Sequence, residues 1–410
     1  MGTEYIELAQ GILLTFALLF LSGTLGAKLA DYLKIPDIVV FLLLGIVLGP
    51  SVLAYLDVPA ESVANNLMLI FGAAFLLFQG GSSVSFHVLK KVWLTLVLLA
   101  TLAVIIMTVV IGSAAHYIFG INWLAALLLA AVLASTDPAT LVPIFQVVKV
   151  RAKVAQTVLC ESAFNDATGA IATFGVLGMI ASGQVSWTNS LAKFGIMAGG
   201  GILTGLVFGL ATAFLICDKT KHFLGAFTQA LILSSVILTY LAAEHFGGSG
   251  FMAVFVLGLI YGNVEFLNWK MHEGHSSASD VFVNDCSLLF RMIIFILLGT
   301  HVDLVLIKTH LWSGIALVGA FMFIARPLAV LACTLPDRKA EWTRNEIIFM
   351  FWTRETGVIP AALSGMLVGM KVPHADLIAA MTFMAILGTL VIQASTTRWL
   401  AQKLNLMEQD

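Results

Sequence analysis

The sequence predicts an all-α polytopic membrane protein of thirteen transmembrane helices, and three observations carry that expectation. Of the 410 residues, 60% are hydrophobic and only 11% charged, with a mean hydropathy of +1.00, far from the balance of a soluble globular domain. Apolar windows of about 20 residues, the length that crosses a bilayer, recur along the whole chain. Lys and Arg fall in alternate connections, as they do where cytoplasmic loops are enriched in basic residues.

The windows lie near residues 8–27, 37–56, 64–84, 92–115, 123–146, 154–181, 192–216, 225–244, 249–263, 282–300, 311–334, 345–369 and 376–400. The first follows Glu4 and Glu7, without a basic flank or a small-residue cleavage site, and reads as a retained span, not a signal peptide. One set of alternate connections holds 15 basic residues, from Lys28 and Lys34 to Arg398 and Lys403, and the other only Lys193, Lys308 and Lys371. A wrong span count would scramble that ratio. The expected topology is therefore multi-pass in the cell (inner or plasma) membrane, N-terminus outside and C-terminus cytoplasmic. Residues 1–410 form a single integral domain. Arg291, Arg326 and Arg354 are the basic residues left within or near spans, and the buried ones need partners. Arg291 and Asp285 read as interfacial, as do His116, His245 and His301. Cys160, Cys217, Cys286 and Cys333 are scattered without metal-ligand spacing and read as packing thiols. No cofactor motif and no basic tract for nucleic acid are present.

Three pairs of segments match at similar separations. FLLLGIVLGP at 41–50 resembles FVLGLIYGN at 255–263, offset by 213; TDPATLVP at 136–143 pairs with TRETGVIP at 353–360, offset by 217; Gly80 falls near Gly299, offset by 219. Each match joins spans seven apart, so the copies cross the membrane in opposite senses. The chain then reads as a first inverted repeat over about 1–181, a linking span over 182–224 and a second repeat over 225–410. These are two inverted six-helix repeats, a signature of secondary transporters in which discontinuous helices meet near the midplane.

Polar residues in the spans locate the chemistry. Span 5 carries Thr136, Asp137 and Pro138 in an apolar helix, with Pro143 beyond, and a break is expected there because proline removes backbone donors. Span 12 carries Arg354, Glu355, Thr356, Gly357 and Pro360 at the repeat-equivalent place. If discontinuous helices 5 and 12 cross, Asp137 and Arg354 are placed to neutralise opposed helix ends; a salt bridge at a loop edge is the alternative for Arg354 and Glu355. Span 6 holds Glu161, Ser162, Asn165 and Asp166 within two turns. Ser162 and Asp166 share a face, as do Glu161 and Asn165. Asp166 brings a titratable carboxylate into the membrane, and Asp166, Ser162 and Thr136 supply the oxygen ligands a hard monovalent metal cation wants. The alternative is a purely architectural polar cluster, and for Glu161 that reading is the stronger. Arg326, deep in span 11, needs a buried carboxylate, and Glu161 is the candidate.

STDPATLVPIF followed by ESAFNDATGA resembles the NhaP-type sodium/proton antiporters of the monovalent cation/proton antiporter superfamily. The resemblance extends over nearly the whole chain. It implies Asp166 as the exchanging carboxylate, Thr136 and Ser162 as cation ligands, Asn165 as its neutral neighbour, Asp137 as the charge at the helix crossing and Glu161 with Arg326 as a buried ion pair. It also implies a homodimer with a mobile core beside a dimerisation domain, and Na+ or Li+ and H+ as the exchanged ions. Two positions depart from the pattern. Gln79 stands where many members have an acidic residue, and Thr356 where many have Arg. The first opens a K+/H+ antiporter as the alternative, the second the role of Arg354. The long cytoplasmic tail of some relatives is expected to be absent beyond Asp410. With no enzyme chemistry expected, an intramembrane aspartyl protease using Asp137 and Asp166 is a remote alternative, disfavoured by Pro138 and the buried arginines.

Overall fold

In a computed structural model the structure is described for residues 2–33, 35–136, 150–182, 187–217, 227–267, 269 and 273–407. The chain is almost entirely helical. In order the α-helices are α1 (Gly2–Leu33), α2 (Asp37–Leu48), α3 (Val63–Ser83), α4 (Phe86–Ala100), α5 (Leu102–Phe119), α6 (Trp123–Leu133), α7 (Ala152–Ser182), α8 (Trp187–Ile216), α9 (Thr228–His245), α10 (Gly250–Tyr261), α11 (Glu273–Thr300), α12 (Leu304–Thr309), α13 (Leu311–Ala320), α14 (Arg326–Thr334), α15 (Arg344–Trp352), α16 (Val358–Gly369), α17 (Ala375–Thr389) and α18 (Ser395–Lys403). Among the described residues, eight helical stretches are long and apolar enough to cross a membrane, and α2, α6, α10 and α16 are shorter apolar helices.

Local chemistry explains where helices depart from the expected windows. The window over 37–56 stops at Leu48, with Gly49 extended at ψ 179°, because the residue before Pro50 is pushed out of the helical region. The window over 92–115 is bent at Val92, where φ is −124° and ψ 20°. The bend lets the Thr95 N–H leave the helical ladder, and it donates to Asp337 Oδ2 at 3.1 Å, with Thr95 Oγ1 donating to the same oxygen at 2.7 Å. Between α13 and α14 the turn widens to π-helix over Phe321–Ala325; Pro327 follows, lacks an N–H and cannot serve the carbonyl four residues back. A second π segment, Leu390–Ala394, joins α17 to α18.

Two glycine crossings weld the helices that frame the site. Gly45 of α2 lies against the Ile296 carbonyl and Gly49, just past the helix end, against Thr300, while Gly299 of α11 lies against the Leu42 carbonyl. Gly258 of α10 lies against the Phe78 carbonyl and Gly262, just past the helix end, against that of Ser82, while Gly81 of α3 lies against the Phe255 carbonyl. A Cβ at any of these six would collide with facing backbone, which is why glycine is needed where helices approach this closely. The two sets correspond at constant separations, 213 residues from α2 to α10 and 218 from α3 to α11. The partner of Gly299 in this pattern is Gly81, one residue beyond Gly80.

A polar network closes the end of the bundle that carries the basic connections. Lys153 pairs with Glu346 at 3.2 Å and its ammonium sits 4.2 Å from the centre of the Trp342 ring. Trp342 donates to Thr95 Oγ1 at 2.9 Å. Val150 bridges antiparallel to Met407, and the Arg151 N–H donates to the Leu406 carbonyl at 2.9 Å. Of the residues expected at the interface, Arg291 instead lies well inside α11 and is half-buried. His301, just past α11, is held against the Val58 carbonyl at 2.8 Å through Nε2, and burial lowers its imidazole pKa from the ordinary range.

Candidate functional site: a break in a helix against a buried carboxylate helix

α6 begins cleanly because Asn122 caps it, accepting from the Ala125 N–H at 2.8 Å. It runs only to Leu133, and Ser135 and Thr136 follow outside any helix. The freed groups are taken up by α7. The Thr136 N–H donates to Asn165 Oδ1 at 3.1 Å, Thr136 Oγ1 lies 2.8 Å from Ser162 Oγ, and Asn165 Nδ2 donates to Thr136 Oγ1 at 2.9 Å. Ser135 is admitted by Gly169, where a Cβ would collide with its Oγ. Thr136, Ser162 and Asn165 therefore form one bonded cluster. Asp166, next on α7, is 7% exposed. Asp137 lies outside the described residues.

Behind this cluster Glu161 and Arg326 meet, 2% and 1% exposed. Arg326 Nη1 donates to Glu161 Oε1 and Nη2 to Oε2 at 3.0 Å. Its Nε donates to the Met350 carbonyl at 2.9 Å, so each of the three guanidinium nitrogens has a partner. This fork-to-fork geometry keeps two buried charges compatible with a membrane interior.

The expected break in span 12 lies between α15 and α16. α15 ends at Trp352, residues 353–357 are non-helical and α16 starts at Val358. Arg354 Nη2 donates to the Ala134 carbonyl at the end of α6, and the guanidinium carbon lies 4.7 Å from the centre of the Phe321 ring. A positive charge thus meets the negative end of a half-helix. Glu355 and Thr356 are 0% exposed, and the Thr356 N–H donates to Thr389 Oγ1 at 3.1 Å. Gln79 does not join the Thr136 cluster. It donates to Asn284 Oδ1 of α11 at 3.0 Å, while its neighbour Gly80 faces Ala163 of α7, a Cβ there lying 3.6 Å from the Ala163 Cβ.

Sequence reasoning missed Thr389, Asn284, Phe321 and the carbonyls of Ala134 and Met350. A threonine or asparagine in a span is a visible signal. A carbonyl leaves none, because every residue has one.

The chain matches the family model "Sodium/hydrogen exchanger, transmembrane" over residues 16–403. It is 30% identical to "Probable Na(+)/H(+) antiporter 2" of Methanocaldococcus jannaschii, over 94% of this chain and 95% of that protein. It is 31% identical to "Na(+)/H(+) antiporter 1" of the same organism, over 93% of each. It is 28% identical to "K(+)/H(+) antiporter NhaP" of Alkalimonas amylolytica, over 95% of this chain and 66% of that protein. Its fold superposes on the structure of the sodium proton antiporter MjNhaP1 from M. jannaschii at pH 8 with a TM-score of 0.84 at 29% identity, covering 96% of this chain and 99% of that one. These are transporters and not enzymes, which removes the protease alternative. The chain is a multi-pass membrane protein of the sodium/hydrogen exchanger family, an NhaP-type cation/proton antiporter.

Proposed function

We propose electroneutral exchange of Na+ or Li+ for H+ by alternating access, with cation and proton competing for Asp166. The observation that carries this is the bonding of Thr136 to Ser162 and Asn165 immediately beside that buried carboxylate. Thr136 Oγ1 and Ser162 Oγ are oxygen ligands for a dehydrated cation, and Asn165 holds the broken backbone in place without adding a second titrating group. Glu161 and Arg326 cancel one another, and Arg354 answers the end of α6, with Asp137 assigned to the same crossing. Neutralising Asp166 is then the condition for movement, because an uncompensated carboxylate in a dry barrier costs several kcal/mol. The architecture in this reading is thirteen spans in two inverted repeats (1–181 and 225–410, joined by 182–224), assembled as a homodimer with the N-terminus outside. The corresponding glycine crossings support the repeat.

K+/H+ exchange on the same scaffold is the second reading. Gln79 favours it, being a neutral amide already committed to Asn284.

The test is a proteoliposome carrying an internal pH dye, challenged in turn with sodium, lithium, potassium and choline. Asp166→Asn should give folded protein and no cation-driven dye response, since an amide keeps the shape but neither binds nor releases a proton. A wild-type response would remove Asp166 from the centre. With voltage clamped by potassium and valinomycin, the sodium gradient that balances a set pH gradient should not move. A net charge per cycle would couple to the potential by about 2.3 kcal/mol per 100 mV, and a shifted balance point would defeat one-for-one exchange.

A further inference from the structure

A cavity of about 180 Å³ lies where α3 and α10 both end, apart from the Thr136 cluster, with Ser82, Ser83, Ser85, Asn263, Glu265 and Phe266 among its walls. Its polar groups are not equally free. Ser82 Oγ donates to the Gln79 carbonyl at 2.8 Å and Ser83 Oγ to the Gly80 carbonyl at 2.7 Å. Each of these hydroxyls has spent its one proton inside the helix and has only lone pairs left to offer. Asn263 is closed on itself: Nδ2 donates to the carbonyls of Val84 and Leu259 at 2.7 and 2.8 Å, and Oδ1 accepts from the Phe86 N–H at 2.9 Å. That last bond also occupies a backbone donor at the start of α4 that would otherwise invite an anion. Hydroxyl oxygen, the carboxylate of Glu265 and the C-terminal ends of two helices favour positive charge there, opposed by the N-terminal end of α4, which starts at Phe86 without a side-chain cap from Ser85.

We propose that this cavity is a low-affinity site that takes up a hydrated monovalent cation ahead of Asp166, with Glu265 supplying the charge and the serine hydroxyls the oxygen lining. The site lies on the side of the expected basic connections: in the chain its two segments come just before Lys90 and just before Lys270. It is close to the ion-bearing helix: one turn back along α3 from Ser83 is Gly80, which faces Ala163, the residue after Ser162. The ring of Phe266, with its centre 5.4 Å from that of Phe86, walls one side of the site. The inference rests on the cation/proton exchange proposed above.

The experiment measures initial exchange rates against sodium, and separately potassium, presented first at the face carrying the basic connections and then at the other. Glu265→Gln should raise KM at the first face roughly three- to tenfold while the maximal rate stays within about twofold, the effect of removing one steering charge from a polar mouth. Glu265→Asp should restore the wild-type KM, and raising ionic strength with choline should shrink the difference. KM at the opposite face should not change. An unchanged KM in Glu265→Gln and in the Ser82→Ala/Ser83→Ala double variant overturns the site. So does an equal rise at both faces. If Glu265→Gln proves unstable, the aspartate and double-serine variants decide. Should Asp166→Asn be inactive while Glu265→Gln behaves as wild type, the exchange reading stands and this site alone falls.

Discussion

Arg326 and Arg354 are buried to nearly the same degree, 1% and 3% exposed, yet they are held in opposite ways. Arg326 gives every nitrogen a partner, two on Glu161 and one on a backbone carbonyl. Arg354 gives one nitrogen to the Ala134 carbonyl, sets its guanidinium carbon 4.7 Å from the centre of the Phe321 ring, and leaves Nε and Nη1 without hydrogen bonds among the described residues. A charge satisfied on all sides is architecture: it fixes α7 against α14 and asks nothing of a mobile ion. A charge addressed to a half-helix end is part of the site's electrostatic balance.

The largest expected effect tests the first half of that contrast. Glu161→Ala or Arg326→Ala strands a buried charge and should cost about 3–5 kcal/mol of stability, read as a fall in thermal unfolding temperature in detergent that exceeds any change in apparent ion affinity. The double variant should lose less than the sum of the two. Additive losses would mean that the pair is not a pair.

Arg354→Ala should invert the pattern. The stability loss should stay within about 2 kcal/mol, the scale of a charge at a partly buried helix end, while the exchange rate falls sharply because α6 is left with an unanswered negative end beside Asp166. Arg354→Lys, which keeps the charge but not the flat face over Phe321, should recover part of the rate. If alanine and lysine are equally slow, stacking on Phe321 matters and charge does not, and the contrast between the two arginines collapses.

The smallest effect concerns selectivity. Gln79→Glu should strengthen sodium and lithium relative to potassium, because the smaller ions have the stronger field. Competition between ions in the dye assay would read this, and an unchanged ranking would place Gln79, already tied to Asn284, outside the coordination sphere.

Much of this site's geometry was legible in the sequence. Isolated charges in apolar helices demand partners, so Glu161 and Arg326 could be paired from their loneliness alone. The four-residue spacing places Ser162 and Asp166 on one face of α7, and the proline-flanked polar runs marked both breaks. What stayed hidden depends on the approach of distant backbone. Thr389 is one threonine among many until Thr356 is brought beside it. The bend at Val92 has no proline or glycine to announce it, and its reason becomes visible only when the buried Asp337 carboxylate takes the liberated Thr95 N–H. The glycine repeats were visible as letters, but the shift from Gly80 to Gly81 appears only when the carbonyls they meet are known.

The Glu161 and Arg326 pair also sets an order for biosynthesis. The two residues are 165 apart in the chain, so at roughly 5–20 residues per second the carboxylate emerges about ten to thirty seconds before its partner. During that interval the nascent α7 carries Glu161 and Asp166 with no Arg326 to answer the first of them, and it is a poor candidate for release into lipid. The charge of Glu161 is answered only when α14 arrives with Arg326. The last residues then finish the assembly, since Leu406 and Met407 fasten Val150 and Arg151 at the threshold of α7. The segment that carries Asp166 is made early and fastened late.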